Sequence, residues 1–69
     1  MTGESIGAMI ERGRVTEVSG ETYRVESLER PGIVSQFIPG ISDAVYSAGD
    51  TVYYFVFPDG TGTILIRYT

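Results

Sequence analysis

The chain has 69 residues and a formal net charge of −4, from nine acidic residues against five arginines, and it contains no Cys, His, Trp, Asn or Lys. Those absences exclude disulfides, thiol nucleophiles, zinc–thiolate sites, imidazole bases or ligands, Schiff bases and phosphate-loop lysines. A chain this short buries only ~60% of the surface its unfolded form exposes, so a compact core or self-association must supply its stability.

Apolar content of 42% with 20% charged residues is that of an ordinary globular domain. No apolar run approaches the ~20 residues that span a bilayer, and Glu4 stands where a signal peptide would be basic. The expectation is a soluble, cytoplasmic domain with no membrane partner. Residues 1–8 (MTGESIGA) are small and polar and read as a flexible N-terminal segment. Residues 9–69 read as one all-β domain, because no helical periodicity survives ten residues. Its segments are short, rich in Val, Ile, Tyr, Phe and Thr, and bounded by Gly, Pro, Ser or Asp.

In chain order, strands are predicted near Ile10–Val18, Thr22–Leu28, Val34–Ile38, Thr51–Phe57 and Thr61–Tyr68. The first two join through Ser19-Gly20-Glu21. A two-residue loop at Ser19-Gly20 sets Val15 opposite Arg24, whereas a three-residue loop sets Val15 opposite Val25 and Arg14 opposite Glu26. The second satisfies both faces and is the expected register. Gly13 is a natural place for a bulge or tight coil in the first strand, as small barrels need at a corner. Arg30-Pro31-Gly32 marks a turn. Residues 42–48 read either as one helical turn, with Ser42 as N-cap and Gly49 just past its end, or as extended loop. Asp50 is expected to shape the turn into the fourth strand.

Phe57-Pro58-Asp59-Gly60-Thr61 is the strongest local signal: Pro presets φ, Asp suits the second central position, and Gly takes the left-handed residue. It predicts a type I turn with a glycine bulge, which puts Val52, Tyr54 and Val56 on one face with Ile64 and Ile66. Tyr53, Phe55 and Phe57 then share the other face with Thr61, Thr63 and Leu65. A tight Asp59-Gly60 turn instead pairs Phe55 with Ile64 and Tyr53 with Ile66. In either register a second apolar stripe needs cover. Five short strands with a terminal hairpin fit a small five-stranded barrel of OB-fold or SH3-like type, whose closure protects such apolar edges.

The order Gly13-Arg14-Val15-Thr16-Glu17-Val18, Tyr23-Arg24-Val25, Ile38-Pro39, Gly49-Asp50-x-Val52 and Pro58-Asp59-Gly60-x-Gly62-x-Ile64-Leu65 runs through most of the sequence. This pattern resembles the small OB-fold domains of contractile-phage tail proteins, the baseplate-assembly and spike-hub family. Their pattern is a G-x-V-x-x-V opening, a G-D-x-V strand start and a D-G-x-G-x-I-I closing hairpin. The resemblance implies a structural role in an assembly. No β-helical spike segment follows Thr69, so a spike role is not implied, and such domains bring no catalytic residues.

The chemistry-bearing residues point the same way. Asp43, Asp50 and Asp59 occupy turn positions, the glutamates alternate with strand positions or sit in loops, and no D-x-D-x-D-G spacing forms a cation loop. The serines have no His or Lys to activate them, and Gly60-Thr61-Gly62 lies in a hairpin rather than before a helix. The expectation is therefore a non-enzyme without cofactor or metal. Tyr53, Phe55 and Phe57 read either as part of a barrel interior that uses both faces of a coiled strand or as a contact surface for a partner protein, a second copy of the chain or the rest of a longer polypeptide, and a protein partner or self-association is expected there. The alternative is a single-stranded nucleic-acid-binding OB domain using Arg12, Arg14, Tyr23 and Arg24. Against it stand the interleaved Glu11, Glu17, Glu21 and Glu26, which favour ion pairs on a solvated face, and the net charge of −4.

Overall fold

The β-branched and aromatic runs of the sequence become five antiparallel strands: β1 (Glu11–Ser19), β2 (Thr22–Ser27), β3 (Ile38–Pro39), β4 (Thr51–Val56) and β5 (Gly62–Arg67). The structure is a computed structural model describing residues 9–41 and 44–68. The expected flexible segment 1–8 and the Ser42 N-cap lie outside the described residues. Among those residues there is no helix, and so none long and apolar enough to cross a membrane. Ala44–Ser47 take the loop alternative, without a helical turn.

The strands form one sheet in the order β3-β2-β1-β4-β5. A parallel bridge from Gly40 to Ile64, with the Ile41 N–H donating to the Ile64 carbonyl at 3.2 Å, brings the two ends together. The sheet is thus a nearly closed five-stranded barrel. Its central β1 is flanked by β2 and β4, and the Gly40–Ile64 bridge closes it just past the end of β3. Its interior is filled by Val15, Tyr23, Val25, Ile38, Tyr46, Val52, Tyr54 and Ile64, at least one from every strand and Tyr46 from the β3–β4 loop. Tyr46 meets Tyr23 edge-on at 5.3 Å, and its backbone N–H donates to the Tyr23 hydroxyl.

The β1–β2 register pairs Arg14 with Glu26 and Val15 with Val25, as expected. Nearer the turn it slips, so that Glu17 faces Arg24 and Ser19 faces Thr22 around a two-residue Gly20-Glu21 turn. The slip is a bulge at Thr16, not at Gly13. Gly13 is paired on both sides, with Ser27 and Val52, and a Cβ there would collide with the Val25 and Tyr54 side chains. Glycine is needed at that position for close approach, not for a bend.

The predicted third strand, Val34–Ile38, shrinks to Ile38–Pro39 with an isolated Val34–Glu26 bridge. Between them Ser35 pairs with β2 irregularly: its N–H donates to the Val25 carbonyl, but the Val25 N–H donates to the Ser35 hydroxyl. A side-chain oxygen occupies the place of a ladder carbonyl, so the run follows β2 without becoming a strand.

The closing hairpin has the expected turn. The Phe57 N–H donates to the Thr61 carbonyl, Gly60 takes φ 96°, and Asp59 Oδ1 accepts from the Thr61 N–H at 3.0 Å. Tyr54 therefore faces Ile64 and Phe55 faces Thr63. One residue further a bulge at Leu65 shifts the register, so that Ile66 faces Tyr53 and Arg67 faces Val52. Ile66, expected on the core face with Ile64, is turned outward and 59% exposed. Asp50 shapes its turn as expected, accepting the Ser47 N–H at 2.8 Å.

Candidate functional site

Alternation along β4 sends Val52 and Tyr54 inward and Tyr53 outward, with Phe55 half-buried; Phe57, just past the strand, is 41% exposed. Phe55 and Phe57 meet edge-on at 5.2 Å, and Tyr53 packs against Tyr68 at 4.9 Å. The Leu65 bulge adds Ile66 beside Tyr53. The stripe is broader than the three aromatics read from the sequence. The favoured register assigns Ile66 to the core by strict alternation from Ile64; only the alternative tight turn pairs it with Tyr53, as the bulge does here.

Across the described residues, eleven large hydrophobic side chains are exposed while eight fill the core. Isolated exposed hydrophobics are common on any surface, but a contiguous apolar sheet face is the mark of a contact surface. The charged groups bordering the face are largely neutralised within the chain. Arg12, opposite Tyr53, binds Glu29 at 2.8 Å, and Arg67 lies 3.5 Å from Asp50. The Glu29 hydrogen bond raises the Arg12 pKa, and the same bond holds the Glu29 carboxyl below its ordinary range.

A second constellation, unforeseen from the sequence, sits at one mouth of the barrel. Glu11 Oε1 accepts from the Ser27 hydroxyl at 3.0 Å, the Tyr54 hydroxyl at 3.4 Å and an Arg30 amino group at 3.3 Å. Arg30 Nε also lies 3.0 Å from Oε2. The buried Ser27 oxygen in turn accepts the backbone N–H groups of Glu29 and Arg30. Burial pushes the Tyr54 hydroxyl pKa above its ordinary value; the Ser27 hydrogen bond opposes this and the Glu11 charge reinforces it. The group borders an open cleft of about 410 Å³ lined by Met9, Glu11, Arg30, Tyr54, Val56, Phe57 and Pro58. With its carboxylate engaged by a guanidinium and two hydroxyls, the cluster is a clamp tying the β2–β3 loop to β1.

Of the four residues of the nucleic-acid reading, Arg12, Arg14 and Arg24 are exposed on β1 and β2, while Tyr23 is turned inward. Tyr23 is 2% exposed and packed in the core, so it offers no face to a base. Its place in the alternation Tyr23, Val25, Ser27 already separates it from Arg24. Arg24 lies over the Phe37 ring at 4.9 Å and 3.7 Å from Glu17. Arg12 is held by Glu29 beside Tyr53, and only Arg14, exposed on β1, makes no ion pair among the described residues. No group of three or more acidic side chains able to hold a metal ion occurs among the described residues.

No protein-family model and no curated protein matches the chain.

Proposed function

We propose that this domain is a non-catalytic structural or protein-interaction module of the cytoplasm, working through the outer face of β4 and β5. The observation that carries the reading is the exposed Tyr53 and Ile66 paired across β4 and β5, with half-buried Phe55 against exposed Phe57, on a domain with more large hydrophobic side chains exposed than buried. Ordering so small a chain leaves little free energy to spare, so covering this face is a direct route to added stability. Within that class, the motif spacing shared with baseplate-assembly and spike-hub domains makes a building block of a tail-like assembly the specific form of the proposal.

Single-strand nucleic-acid binding is the competing reading, supported by Arg12 standing beside the Tyr53 and Tyr68 rings on an open sheet face. It is weakened by the Glu29 partner of Arg12 and by the net charge, since such binding is driven by counterion release to a cationic surface. Two measurements separate them. Titration of labelled oligonucleotides at low salt is expected to be flat. A Tyr53→Ser/Ile66→Ser variant is expected to keep its circular dichroism spectrum and lose retention of protein partners. Salt-sensitive oligonucleotide binding that weakens in Arg12→Gln would reverse the assignment.

A further inference from the structure

The connection from β2 to β3 is a hairpin tip that leans on β1 without entering the core. No side chain from Leu28 to Phe37 belongs to the buried cluster, and among the described residues the half-buried hydrophobic packed against that cluster is Val56 of β4. The tip braces itself. The Ser27 N–H donates to the Ile33 carbonyl at 2.9 Å, the Ile33 N–H to the Arg30 carbonyl at 3.1 Å, and the Gly32 N–H to Glu26 Oε2 at 3.4 Å. Just beyond, the Ser35 N–H donates to the Val25 carbonyl at 2.8 Å. From Leu28 to Val34, the bonds that leave the hairpin among the described residues run to Glu11 and Arg12, neighbours at the start of β1. The Leu28 N–H donates to the Arg12 carbonyl at 2.9 Å, and Glu29 pairs with the Arg12 side chain at 2.8 Å. Arg30 holds Glu11 through Nε at 3.0 Å and an amino group at 3.3 Å.

We propose that this tip is a strap, hinged where β2 ends and latched by Arg30 on Glu11, which lifts off β1 as one body and opens the barrel mouth. A segment with no apolar anchor opens at a lower free energy than the whole fold, because lifting it uncovers little hydrophobic surface and water meets its polar groups. The two ion pairs differ as fastenings. Both members of the Arg12–Glu29 pair are about half in water, and a pair of that kind contributes little. The Glu11 side chain is 12% exposed, so its two-point bond to Arg30 is less screened and sets the latch. Arg30 also lines two hollows, the cleft of about 410 Å³ and another of about 240 Å³ bordered by the Ile33–Gln36 run; Tyr54, Val56, Phe57 and Pro58 wall both. Lifting Arg30 joins them into one trough. It also leaves the Glu11 carboxylate with only the Ser27 and Tyr54 hydroxyls as donors. The strap therefore sets both the width of the mouth and its charge.

Amide hydrogen exchange near neutral pH, resolved by residue, tests the strap. Lifting it as one body breaks the Leu28 amide bond to β1 and keeps the Ser27 and Ser35 bonds within the hairpin. In Glu11→Gln the Leu28 amide is expected to lose protection by at least ~10-fold relative to Val15 and Phe57, whose amides are bonded to Asp50 and Thr61 elsewhere in the barrel. Arg30→Gln is expected to match it, with the double variant adding little, because both open the same latch. Arg12→Gln is expected to cost Leu28 ~3-fold or less. In the parent, raising salt from about 0.05 to about 0.5 M is expected to release Leu28 in the same way, without relying on a variant to fold. Equal losses at Leu28, Val15 and Phe57 would show a contact serving the whole fold and would overturn the strap. Ser27 or Ser35 losing protection together with Leu28 would overturn its lifting as one body. Leu28 protection unchanged by both substitutions and by salt would overturn the latch.

Discussion

Replacing Gly13 with alanine sets two effects of opposite sign against each other. Glycine loses more backbone freedom on folding than alanine, so in an unobstructed strand the substitution favours folding by about 0.5–1 kcal/mol. Here β1 is paired on both sides, with Ser27 and Val52 flanking Gly13. The new methyl would stand 2.6 Å from Tyr54 Cε1 and 2.9 Å from the Glu26 carbonyl oxygen, and would overlap the Val25 side chain. None of these yields easily. Val25 and Tyr54 are fully packed in the core, the Tyr54 hydroxyl is held to Glu11, and the Glu26 oxygen is backbone. Overpacking costs about 1–3 kcal/mol, and clashes with two core side chains and a backbone oxygen put this one in the upper part of that range, so the net effect is a loss of about 1–2 kcal/mol. In a domain of this size that lowers Tm by roughly 5–15 °C. Thermal and urea unfolding followed by circular dichroism measure it, with an unchanged m-value as the check that compactness is preserved. A Gly13→Ala chain as stable as the parent, or more stable, would refute the claim that close approach, rather than a bend, requires glycine there.

Two further outcomes follow from the same packing. Ile64 and Ile66 are separated by the Leu65 bulge, so Ile64→Ala should cost about 2–5 kcal/mol and Ile66→Ala less than about 0.5 kcal/mol, both by urea unfolding at low micromolar protein; equal losses would mean that the bulge is absent. Tyr54→Phe leaves Glu11 short of one donor and should cost about 1 kcal/mol near neutral pH. It should also remove a late-ionising hydroxyl from the tyrosinate absorbance titration. Because the folded Tyr54 pKa lies above the unfolded value of about 10, its contribution to stability is complete below that pH and is lost as pH rises through the folded value. An alkaline limb of the stability curve identical in the two proteins would contradict the buried, clamped hydroxyl.

Much of the architecture was legible because it is written in few residues. Pro58-Asp59-Gly60 specifies its turn through φ preferences and an Asp side chain that bonds two residues on, and those preferences act before any strand pairs. Tyr23 shows a signal that was present but overridden. Its position in the period-2 pattern of β2 places it inward, whereas grouping it with Arg24 by proximity in sequence placed it outward. Glu11 shows a signal that was absent. Its three partners, Ser27, Arg30 and Tyr54, are 16, 19 and 43 residues away. Nothing in the spacing of the row announces that they meet at one barrel mouth.

The sequence by itself determined an all-β chain of five short segments, the closing hairpin turn, the turn role of its described aspartates and an apolar surplus concentrated in Tyr53, Phe55 and Phe57. It also excluded thiol, imidazole and amine chemistry outright, because the residues are missing. Only the tertiary structure decided where the register slips, at Thr16 and Leu65, and therefore that Ile66 joins the outer face while Ile64 stays in the core. Strand and turn preferences are local, set by backbone sterics and alternation within a few residues. A bulge relieves the strain of coiling a sheet until its first and last strands meet, and where it falls depends on all the strands at once.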